Sequence, residues 1–205
     1  ISERFQEHPE EFDAAFARWL ADEGYAAYTF DYRGTGVSRP EGSLRGYRAD
    51  ITDWAQLDCA AMIEHVSAEQ PGLPIYWVGH SVGAQILGMI PNHPRLTAML
   101  SVAAGSGYHR HNNKPLRYYA PLLWHTIAPV ALRLAGYFPG KRLGLVGDLP
   151  YGVMAQVVLG ASVPRRGKSG SARAAGQREA TDHGVVHARR RDDDLRRHRG
   201  ALRPV

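Results

Sequence analysis

Cysteine is nearly absent. Cys59 is the single one in 205 residues, so no internal disulfide can form, and the scarcity fits a reducing, cytoplasmic setting. No apolar stretch opens the chain, so no secretory signal is predicted; the chain begins at Ile1 rather than methionine, and a missing true amino end is the expectation. Long hydrophobic runs are lacking as well. The longest apolar region, Tyr118 to Phe138, is interrupted by Pro121, His125, Pro129 and Arg133, which argues against a membrane span and for one or two amphipathic helices. The net charge of +5 and pI near 9.5 would suggest an anionic partner if evenly spread, but roughly half of the Lys and Arg fall in the last quarter. The basic balance therefore describes a tail rather than a domain. The length and a hydrophobic content of 44% suit one sizeable globular domain and not two.

What is present alternates between two periodicities. Between Glu10 and Asp22, Phe12, Ala15, Phe16, Trp19 and Leu20 share one helical face, with Gly24 as the stop. Tyr25 to Phe30 reads as a strand, followed by the loop Asp31, Tyr32, Arg33, Gly34, Thr35, Gly36. Its two glycines invite a phosphate-binding reading, but the third glycine of G-x-G-x-x-G is replaced by Arg39, so a structural turn is the better expectation. Asp53 to Glu69 predicts a helix with Trp54, Leu57, Ala61, Met62 and Val66 on one side and Asp53 near its start. Thr97 to Ala104 predicts another strand. After it, His109 and His111 lack a cysteine or carboxylate at ligand spacing nearby, so no metal is expected there.

The most informative stretch is Gly79, His80, Ser81, Val82, Gly83, a G-x-S-x-G string. The run Ile75, Tyr76, Trp77, Val78 precedes it as a buried strand would, and Ala84, Ile86, Leu87 and Ile90 follow at helical spacing until Pro91. A glycine-rich strand-to-helix turn is the bland reading. The sharper one is a nucleophile elbow: Ser81 on a strained turn at the carboxyl end of a middle strand, small neighbours allowing close approach, and the Val82 N–H at the helix start donating to an oxyanion. The helix–strand rhythm predicts an α/β fold with a mostly parallel sheet covered by helices on both faces. The aromatic insertion at about 108–140 is expected to form a small helical cap over the active-site edge.

With these residues in view, the chain resembles the α/β-hydrolases. It is most similar to the bacterial predicted α/β hydrolases related to serine aminopeptidases and monoacylglycerol-lipase-like enzymes. The resemblance rests on Phe30 to Gly36, the elbow Gly79 to Gly83, Ser106, Gly107, Tyr108, and Tyr137, Phe138, Pro139, Gly140 with Leu149 and Pro150; it runs from about Phe12 to about Ala155. It implies an esterase- or lipase-like serine hydrolase with Ser81 as nucleophile and Val82 as one oxyanion donor. It also implies an acid after a late strand and a histidine near the carboxyl end, neither assignable here. The second oxyanion donor would come from the loop before the first helix, where Ile1 to Glu11 lacks the expected small residues. No metal or organic cofactor is implied. The partner is a small apolar ester or amide substrate, with no specific nucleic acid.

The expected division is a partial α/β-hydrolase domain over 1–156 and a low-complexity basic tail over 157–205, frame-shifted or disordered. From Val157 onward there is no aromatic residue, isoleucine or methionine, a composition that cannot bury a core. Back-translating Thr181 through Leu202 and reading one base later yields text resembling the family's late strand and acid loop, so a frame shift is expected. The sheet would then lack its last strands, and the chain would be inactive or impaired. His183, His187 and His198 and the run Asp192, Asp193, Asp194 are not expected to serve the serine. His80 is expected to shape the pocket. Two alternatives remain, a non-catalytic α/β binding module with a basic tail and a serine acyltransferase.

Overall fold

The structure, a computed structural model, describes residues 9–105, 114, 116–145, 147–162 and 183–189. Helix α1 (Pro9–Asp22) ends at Gly24, whose φ of 89° suits a residue without a Cβ, and leads into β1 (Tyr25–Asp31). Helix α2 (residues 51–69) joins Ile51–Asp53, a wide turn Trp54–Cys59 with π-type bonding, and Ala60–Glu69. Strand β2 (Ile75–His80), helix α3 (Val82–Gln85) and strand β3 (Leu96–Val102) follow. A second long helical run, α4 (residues 116–135), again contains a π-type turn, Leu123–Ile127, and ends at left-handed Gly136. Helix α5 (Tyr151–Ser162) and strand β4 (His183–Arg189) complete the described elements.

The sheet order is β1-β4-β2-β3. Strands β2 and β3 pair in parallel, and β4 runs antiparallel to both β1 and β2. Thus β1, β2 and β3 point the same way, and their carboxyl ends share one edge. The core beside the sheet holds Tyr32, Trp54, Ile63, Val66, Trp77, Ile86, Ile90, Phe138, Val153 and Met154. Tyr32 stacks on Trp54 with ring centroids 4.6 Å apart, and the Trp77 indole N–H donates to the Gly83 carbonyl at 3.0 Å, so the buried polar tip is satisfied.

Several expectations need correction. Trp19 is more than half exposed and Ala15 is exposed, so among the described side chains α1 buries Leu20 most deeply, with Phe16 stacked on Trp19. In α2 the buried positions are Trp54, Ala55, Cys59, Ile63 and Val66, while Leu57 and Ala61 face outward. The wide turn is the cause. It departs from the regular 3.6-residue count, and Cys59 and Ile63 are buried where that count turns Leu57 and Ala61 inward. The helix also starts earlier than Asp53. Asp50 caps it, accepting from the Asp53 N–H at 2.9 Å while the Asp53 carboxylate accepts from the Asp50 N–H at 3.0 Å.

The proposed boundary at 156 falls inside α5, which continues to Ser162. The Gln156 side-chain Oε1 accepts from the Ile51 N–H at 2.8 Å, and Val157 and Val158 pack against the core. The segment expected to be frame-shifted or disordered contains β4, which lies between β1 and β2 in the sheet. Its composition is poor in large apolar residues, but Val185 and Val186 are β-branched, and the strand pairs with a neighbour on each side.

Candidate active site

The elbow occupies the turn from β2 into α3. Ser81 has φ 50° and ψ −113°, outside the regions comfortable for a residue with a side chain. It is held there by its neighbours. The Ser81 N–H donates to the Val102 carbonyl of β3 at 2.9 Å, and the Ser81 carbonyl accepts from the Ala84 and Gln85 N–H groups at 3.1 and 3.2 Å. Gly79 makes the turn possible, because a Cβ at this position would sit 2.6 Å from the Gly83 carbonyl oxygen and 2.7 Å from the Ala84 backbone. Gly83 is buried, with its carbonyl engaged by Trp77.

Ser81 and Val82 are partly buried, at the carboxyl edge of the sheet. Val82 opens α3, so its N–H belongs to the first turn, where donors have no acceptor within the helix. His80 closes β2 opposite Val102. The Ser81 hydroxyl has no hydrogen-bond partner among the described residues.

A second strained residue lies beside the first. Ala103, directly after β3, has φ 51°, and with Ser81 it forms the pair of non-glycine residues at positive φ among those described. No residue pattern marks it, since alanine carries no turn signal. Nearby, the Gln85 side-chain amide donates to the Gly105 carbonyl at 2.6 Å, tying α3 to the chain that leaves β3.

The glycine loop after β1 reaches the same edge, but its groups are turned inward. The Gly34 N–H donates to the Ser38 carbonyl at 3.1 Å, the Thr35 N–H and hydroxyl both donate to the Tyr32 carbonyl, and the Val37 N–H donates to the Asp31 carboxylate at 2.8 Å. A Cβ at Gly36 would collide with that carboxylate. Backbone donors spent in this way do not form a phosphate cradle. Two ion pairs brace the loop. Asp58 accepts from the Arg33 N–H at 3.0 Å and from its guanidinium at 2.9 Å, which raises the Arg33 pKa through that hydrogen bond, and Arg39 pairs with Asp148 at 2.7 Å. The aspartates lie 25 and 109 residues away from their arginines, separations that no local pattern reveals.

The other candidates are dispersed. His183 and His187 lie in β4, with His183 paired by register with Asp31 at the end of β1 and His187 with Ala27 and Tyr76. His109, His111, His198, Ser106, Gly107, Tyr108 and Asp192 to Asp194 lie outside the described residues. No cluster of His, Cys, Asp and Glu among the described residues could hold a metal ion. Cys59 is remote from this chemistry. It is fully buried, and burial pushes its thiol up to about 12, while a hydrogen-bonding contact with Tyr32 acts in the opposite direction.

A family model described as "Serine aminopeptidase, S33" matches residues 1–146. The chain belongs to this family of α/β-hydrolases. Membership accounts for the parallel strands flanked by helices and identifies a hydrolase of the α/β type. No match is found among curated proteins or among solved structures. Among the described residues, no helix of this hydrolase is long and apolar enough to cross a membrane.

Proposed function

We propose that Ser81 is the nucleophile of a serine hydrolase acting on a small apolar carboxylic ester, or less readily an amide, through an acyl-enzyme. The observation that carries the proposal is the Ser81 backbone at φ 50° and ψ −113° between β2 and α3. The strained position lies at the junction of β2 and α3, where Val82 opens the helix, and this strand–turn–helix setting of a G-x-S-x-G serine is the one a nucleophile elbow requires. Family membership supports the same class of chemistry.

In the acylation step the Ser81 oxygen bonds to the substrate carbonyl carbon and the alcohol departs with a proton. The Val82 N–H donates to the carbonyl oxygen as it gains negative charge. Water then attacks the acyl-enzyme, releasing the acid and returning the proton to Ser81. The base and the acid that orients it are unassigned.

A fluorophosphonate probe tests the assignment. Covalent labelling of the parent chain that disappears in Ser81→Ala supports the nucleophile. Equal labelling of both chains, or none of either, overturns it, and salt-sensitive nucleic-acid binding without labelling would favour a binding module. Product analysis with added alcohols or amines separates hydrolysis from acyl transfer.

A further inference from the structure

Helix α4 carries an apolar stripe that the fold leaves uncovered. Tyr118, Tyr119, Leu122, Val130 and Leu134 are each more than half exposed, whereas Ala120, Ala128 and Leu132 on the opposite side are buried. On a regular α-helix Ala120 and Ala128 would be about 80° apart around the axis. The π-type turn Leu123–Ile127 takes up the extra residue and aligns the two halves, so each face continues along the whole run. The outward stripe is thus a continuous feature rather than a scatter of single exposed residues.

The charge around it has one sign. Between Glu69 and Asp148 the sequence contains no Asp or Glu. Lys114 before α4, Arg133 on it, and Lys141 and Arg142 after it are exposed. The Arg45 guanidinium adds a further cation at the carboxyl end of α4, donating to the Leu134 carbonyl at 2.8 Å. Asp148, the next acid along the chain, is engaged by Arg39.

We propose that this face docks on an anionic lipid surface. Leu122, Val130 and Leu134 enter the acyl boundary, Tyr118 and Tyr119 sit at headgroup depth, and the flanking cations meet lipid phosphates. The helix lies on the surface and does not span it, consistent with the absence of a membrane-spanning helix among the described residues. The cations flanking the stripe, in a stretch of sequence without acids, distinguish this from a surface for a second copy, which would bring like charges together. The proposal does not depend on the role of Ser81.

The experiment is co-sedimentation of the full chain with phosphatidylcholine vesicles, with and without phosphatidylglycerol, at ~0.15 M salt. Binding is expected only with phosphatidylglycerol present. Leu122→Ser combined with Leu134→Ser should weaken partitioning by about tenfold or more without altering circular dichroism, since both side chains are exposed. The arginine-rich end of the chain could bind anionic vesicles by charge alone, and the double variant separates the two contributions. If it binds as well as the parent, or if the parent ignores anionic vesicles, the proposal fails. Leu122→Trp gives an independent readout: its emission should shift to the blue on vesicle addition, and an unmoved spectrum also overturns the proposal.

Discussion

Ser81 combines a strained backbone with a side chain that fixes the strain. A non-glycine residue at φ 50° costs about 1–3 kcal/mol, and replacing it by glycine removes the Cβ that causes it at the expense of some unfolded-state entropy. Ser81→Gly is therefore expected to raise stability by about 1 kcal/mol, read as a higher urea midpoint, whereas Ser81→Ala, which keeps the Cβ, should leave the midpoint nearly unchanged. An identical response to both substitutions would show that the hydroxyl rather than the backbone sets the cost. Cys59 gives a second test at this scale. Its thiol is raised from the ordinary 9.0 to about 12, mainly by burial. A folded pKa above the unfolded one contributes stability that is fully present below about pH 9 and is lost as pH rises toward 12, by about 1.4 kcal/mol per unit. Parent and Cys59→Ala should accordingly converge in stability between pH 9 and 11, a window set by those two values. Parallel pH profiles would contradict the burial argument.

At the scale of elements, the loop after β1 depends on α2. Asp58 accepts from both the backbone and the guanidinium of Arg33, and the Trp54 indole N–H donates to the Arg33 carbonyl at 3.0 Å, so one helix fixes three groups of one loop residue. The pair is partly open to water, which reduces its worth relative to a buried pair. Asp58→Ala should cost about 1–2 kcal/mol in denaturant unfolding, and Asp58→Asn, which retains an acceptor for the Arg33 N–H, less. Equal losses would mean that charge alone matters. The same helix shows why the sequence was only partly legible. The existence of α1, α2, β1, β2 and β3 follows from hydrophobic spacing and turn residues, but the π-type turns in α2 and α4 carry no residue signature. A periodicity count that assumes 3.6 residues per turn assigns Leu57 and Ala61 to the core, where the structure has Cys59 and Ile63.

For the whole molecule, the sheet depends on a segment that composition marks as unable to fold. The elbow was readable because its chemistry needs particular residues at fixed spacing; β4 was not, because its contribution comes from long-range backbone pairing rather than from large apolar side chains. Residues 183–189 pair with β1 on one side and with β2 on the other, and without them the facing ladder groups of β1 and β2 would lose their partners. Every interior N–H of such a strand faces one neighbour or the other, so proline cannot be accommodated at its centre. Val186 pairs with Tyr28 and with Trp77, and Trp77 is also fully buried in the core. Val186→Pro should therefore destabilise the chain by about 3 kcal/mol or more and promote aggregation through the exposed strand edges, measured by thermal unfolding and light scattering. A proline variant that melts with the parent would mean that β1 and β2 are held together without β4, and that the core around Trp77, with the Ser81 turn above it, is stable independently of the basic end of the chain.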